Sequence, residues 1–158
     1  MNPIISTIES RFLAIDQLSR DLLAKLEPEW LYTKPKHLPN SMAMFSCGEY
    51  ILRSAAMVER TFGGITTRLW DDPFEWTLPE KLIDHVSILG YLDEVDAVRR
   101  KGLMFFTSDN DLLREIPSPE KLRPIVDILL ETLTSASHFQ GRAFSIFQII
   151  SDKKLPRL

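Results

Sequence analysis

The chain has 158 residues, 44% of them hydrophobic and 26% charged, a balance that suits a single globular domain, residues 1–158, with its own core. Nineteen basic against 22 acidic side chains leave a net charge of −3 without any long basic run, which argues against nucleic acid or a membrane surface as partner. Apolar runs are too short to span a bilayer, Glu9 and Arg11 interrupt any signal-peptide core, and the single Cys47 has no internal disulfide partner, so a reduced cytoplasmic protein is expected.

Ile5, Ile8, Phe12, Ile15, Leu22 and Leu26 share one helical stripe, with Ser19 its one polar member, and predict a first helix over residues 2–26. Asn2 is the expected N-cap, Pro3 the first helical residue and Pro28 the stop. Residues 27–45 hold Pro28, Pro35 and Pro39 and show no period, so a long ordered loop is expected, with His37 a solvent-exposed loop histidine. Ser46-Cys47-Gly48-Glu49 reads as a capping box for a second helix carrying Ile51, Ala55, Val58, Phe62, Ile65 and Leu69 on one face. Within it Gly63-Gly64 costs roughly 1 kcal/mol per residue against alanine, which points to a close helix approach or a kink.

Trp70-Asp71-Asp72-Pro73-Phe74-Glu75-Trp76 is an aromatic and acidic connection, expected to pack over the end of the bundle or to cover a ligand. Thr77-Leu78-Pro79-Glu80 reads as a second capping box, opening a third helix that runs to about Gly102. Leu82, Val86 and Leu89 form one apolar line there and His85, Ile88, Leu92 and Val95 another, so burial on two sides and a homodimer are expected. Asp109-Asn110-Asp111 falls in a turn-rich linker ending at Pro117. Ser118-Pro119-Glu120 then reads as the cap of a last helix over residues 118–151, bent or restarted at Pro124. Its inner stripe is Val126, Leu129, Leu133, Ala136, Ala143, Phe147 and Ile150. Four helical segments without a convincing strand predict an all-α four-helix bundle.

A wheel of about 100° per residue locates the inward polar positions. On the second helix Ser54 lies near the apolar stripe with Cys47 and Thr61 close to the same line, while Arg53, Arg60 and Glu49 point outward and Glu59 takes the opposite flank. On the last helix Phe139 edges the apolar sector and Ser135 lies one turn before it, just beyond that edge. His138 shares the polar side with Asp127, Glu131 and Arg142. His85 faces the apolar sector, where a hydrogen-bonded core or interface histidine is expected. Three histidines at unrelated spacings make no metal motif. Cys47, near a helix start without a neighbouring histidine, reads as a buried structural thiol.

The stretches 46–60 and 134–147 together resemble the DinB/YfiT-like superfamily. The first holds the serine-led cap and the Glu59-Arg60 pair of that family's second helix, and the second holds His138, Gly141 and an apolar run like its last helix. The resemblance implies a four-helix bundle with long loops and a crossover between helices two and three, often dimeric. It also implies a divalent metal on three histidines and thiol-dependent transferase or hydrolase chemistry. Carried over by position, the ligands fall on Ser54, Ser135 and Phe139, none of them histidine, and serine hydroxyls are poor ligands for nickel or zinc. The expectation is therefore a bundle without cofactor that binds a small molecule or a partner in a pocket edged by Ser54, Thr61, Ser135 and Phe139. The alternative is a metal enzyme with an atypical set, in which His138 turns inward near Gly141 to join His85 or His37.

Overall fold

The computed structural model describes residues 2–36, 45–75 and 77–157; His37 and Trp76, and the readings that fall on them, lie outside the described residues. Four helices pack together: α1 (Pro3–Lys25), α2 (Cys47–Thr67), α3 (His85–Leu103) and α4 (Ile125–Ile150). A small antiparallel hairpin, β1 (Glu115–Pro117) and β2 (Leu122–Pro124), stands before α4, with Ile116 opposite Arg123. No helix among the described residues is long and apolar enough to cross a membrane.

The stripes meet in one core. Phe12, Leu22, Ile51, Phe62, Ile88, Leu92, Leu129, Ala136 and Phe147 are all buried. Removing that apolar area from water is the main stabilising term for a domain of this size. Contacts fix the helix directions. Cys47, Ser54 and Thr61 of α2 meet Ala143, Ala136 and Thr132 of α4, so these two helices are antiparallel. α1 and α4 run the same way, since Gln140 reaches Ile15 and Ser19 while Lys25 reaches Lys154. α3 opposes α1, with His85 at Leu26 and Asp93 at Arg20. α2 and α3 are therefore parallel, and residues 68–84 return the chain from one end of the bundle to the other.

Several local expectations need correction. The third helix opens at His85, not at Thr77. Asp84 and Ser87 form its capping box, while the Thr77 hydroxyl donates back to Pro73 O within a turn. Of its first apolar line Leu82 packs partly against the core, while Val86 is 77% exposed and Leu89 38% on the single chain. The last helix opens at Ile125 rather than at 118. Ser118 instead closes the hairpin turn, its amide and hydroxyl both donating to Lys121 O, and Pro124 holds the chain extended until the helix begins. A sequence of three-residue strands gives no alternation to read, which is why the hairpin was not expected. Asn2 precedes Pro3 as expected, but its side chain does not cap α1. The carboxylate of Asp109 does so from the α3–α4 connection, accepting from the amides of Ile4 and Ile5 at 3.1 and 3.0 Å. The second helix ends before Leu69, at Arg68 in the left-handed region (φ 62°), which leaves Leu69 exposed.

The glycine pair resolves into one close approach. A β-carbon at Gly64 would run into the Trp70 ring, and one at Gly102 into Phe62, so Trp70 lies flat on α2 and α3 presses on the same helix. The capping box at Ser46 is as expected: Ser46 Oγ accepts from the Glu49 amide, and the Glu49 carboxylate accepts from the Ser46 amide at 2.8 Å.

Candidate functional site

The inward polar line of α2 builds a seam with α4. Cys47 Sγ donates to Ala143 O at 3.4 Å, Ser54 Oγ to Ala136 O at 2.8 Å, and Thr61 Oγ1 lies 2.7 Å from Thr132 Oγ1. All three α2 residues are buried, and they recur every seven positions, the spacing that keeps one face of an antiparallel pair in register. Opposing alanines let the two backbones come close enough for these bonds. Burial pushes the Cys47 thiol up to about 12, so it stays a protonated structural donor at neutral pH.

Where the seam reaches the hairpin, the bundle surface opens into a cleft of about 230 Å³. α2 contributes Met57, Arg60 and Thr61, and α4 contributes Ile128, Glu131, Thr132 and Ser135, each set one face of its helix. The hairpin turn 118–121 and Trp70 close the remaining sides. Trp70 Nε1 donates to Pro117 O at 3.2 Å, tying the aromatic wall to the hairpin, and buried Ile116 pins the hairpin to the core. The side chains combine apolar walls, a hydroxyl group at Ser135 and charges at the mouth, the mixture typical of small-ligand sites.

The structure divides the four residues expected to edge one pocket. Thr61 and Ser135 line the cleft. Ser54 is committed to the seam, and its free flank faces a different, small cavity of about 20 Å³ between α1, α2 and α3. Half-buried Phe139 stacks on Tyr50, ring centroids 6.4 Å apart, away from the cleft lining. A divalent cation does not fit these positions: one hydroxyl is given to a carbonyl, one residue has no donor atom, and only Ser135 is left. His138 is exposed on an unbroken stretch of α4, its ring edge-on to that of its neighbour Phe139 with centroids 6.0 Å apart. His85 caps the end of α1 instead, its Nε2 2.7 Å from Leu26 O. Among the described residues no three His, Cys, Asp or Glu side chains converge to hold a metal ion.

Besides Thr132 of the seam, two buried polar residues were not expected from the sequence. Gln140 is 5% exposed, and its Nε2 donates to Ile15 O at 2.6 Å and to Ser19 Oγ at 2.8 Å, which explains the polar member of the first stripe. Arg99 is 2% exposed, pairs with Asp96 through Nη2, and leaves Nη1 buried without a hydrogen-bond partner. Burial raises the Asp96 carboxyl, but the hydrogen bonds and charges of Arg99 and Arg100 outweigh this and hold it below its ordinary range. Both residues had a visible signal. Arg99 continues the steps Ile88, Leu92, Val95, and Gln140 sits between Ala136 and Ala143, so each is a polar residue where an apolar one is due.

Comparison of the chain with protein-family models, with curated proteins and with solved structures finds no match.

Proposed function

We propose that this protein is a DinB/YfiT-type bundle that has given up the family's metal chemistry and serves as a small-molecule-binding module, cytoplasmic and assembled as a homodimer. The cleft between α2, α4 and the hairpin carries this reading, because it joins an aromatic wall, hydroxyls and mouth charges in about 230 Å³. Support for the family type comes from the parallel α2 and α3 with the return connection between them, which fits the crossover that the resemblance implies. Support for the loss of metal comes from Ser54 and Phe139, both engaged in packing rather than aimed at a common point. The exposed line of Ile83, Val86 and Leu89 is the face that a second copy would cover.

Elemental analysis of the untagged protein, combined with a light-scattering mass and a thermal-shift screen of small organic molecules, tests all parts together. The expected result is a dimer without stoichiometric metal whose melting temperature rises with at least one ligand, and not when Ser135→Trp fills the cleft. Stoichiometric nickel or zinc, removable by chelator with loss of stability, would overturn the reading.

A further inference from the structure

We infer that the ligand of this cleft is a small organic anion, an apolar or flat body lying against Trp70 with one carboxylate or phosphoryl head at Arg60 and Lys121; this rests on the reading of the cleft as a binding site. The charges at the mouth sort into engaged and free. Arg123 is shared between Asp127 at 2.7 Å and Glu131 at 2.5 Å, so all three side chains are engaged with one another and the trio keeps one net negative charge. Arg60 donates from its Nε to Trp70 O at 3.5 Å, and its Nη atoms and Lys121 Nζ, both at the cleft, enter no hydrogen bond or ion pair among the described residues. On its far side Arg60 borders a second cleft, lined also by Asp71 and by Glu59, whose carboxylate accepts from the Tyr91 hydroxyl at 2.5 Å. Among the described residues lining the mouth, Glu120, exposed at the turn, is the carboxylate without a paired cation. The donors left over on this side are thus a guanidinium fork and an ammonium, while the Glu131 carboxylate is already engaged by Arg123.

The hydroxyls agree with this sign. Thr132 donates to Ile128 O, so Thr61 must donate to Thr132, and the Ser135 hydroxyl has no partner among the described residues and can donate to an oxyanion. The volume lies below that of drug-sized sites, which limits the body to about one ring. A cationic ligand of that size would lie against Arg60 and Lys121 and would have to compete with Arg123 for Glu131, leaving Glu120 as the unengaged carboxylate among the described cleft residues.

The test titrates phenylacetate, phenyl phosphate, phenylacetamide and phenethylamine into the full chain, following the Trp70 indole N–H by NMR and affinity by calorimetry. The expected result is that the anions shift the Trp70 signal and bind about tenfold more tightly than the amide, while the amine does not bind. The stronger of the two anions identifies the head group. Arg60→Gln and Lys121→Gln, with unchanged melting temperatures, should each remove most of the preference for acid over amide. Equal binding of the amide or amine at Trp70 overturns the anion class while leaving the cleft a binding site. No shift of Trp70 with any probe overturns both.

Discussion

At Gly64 a β-carbon would collide with the Trp70 ring, whereas at the adjacent Gly63 its nearest neighbour, Leu69 O, would be 3.9 Å away. The same substitution should therefore act with opposite sign at the two positions. Gly63→Ala should raise unfolding free energy by about 0.5–1 kcal/mol through helix propensity. Gly64→Ala should lower it by about 1–3 kcal/mol through overpacking, and should also weaken ligand binding because Trp70 is displaced. Urea denaturation of both variants reads the signs. Arg99 makes a second matched pair. Asp96→Asn strands a buried guanidinium and should lower stability by about 2 kcal/mol, below the range for fully buried pairs because Asp96 is partly exposed. Arg99→Met removes the charge, its unpartnered nitrogen and the need for compensation together, and should change stability by less than about 1 kcal/mol or raise it.

The helices were legible where their signals are local. The Ser46–Glu49 box and the stripe from Ile51 to Ile65 need only neighbours in sequence, and the structure keeps both. Thr77 failed as a cap because only an isolated turn follows it, with the Lys81 and Leu82 amides both donating to Leu78 O, and Asp84–Ser87 uses a serine where the usual box has a glutamate. The caps also carry an acid response. Asp111 accepts from the amides of Ser108 and Thr107 and from the Thr107 hydroxyl, which hold its carboxyl below the ordinary range; the Ser87 amide does the same for Asp84. A depressed folded-state value means stability that is complete above the ordinary carboxylate value of about 4 and is lost as pH falls through the folded-state value. The urea midpoint should thus hold steady near neutrality and decline below about pH 4. Asp111→Asn should start lower at neutral pH and decline less on acidification. An equal acid decline in the variant would remove Asp111 from the account.

For the whole molecule, four helices and one core followed from hydrophobic period alone, since a stripe can be buried only against other stripes. The site was half legible. Thr61 and Ser135 do share a cleft, but two of its sides are the hairpin turn and Trp70, which long-range packing brings there and no local pattern announces. The same holds for the start of α1, whose amides at Ile4 and Ile5 are capped by a carboxylate 105 and 104 residues further along. That distance orders events during synthesis. The first turn of α1 leaves the ribosome long before Asp109 has been polymerised, so the nascent helix lacks this cap while α2 and α3 are made. The cap is added only when the segment after α3 folds back, which couples the stability of the chain's beginning to the arrival of its last third.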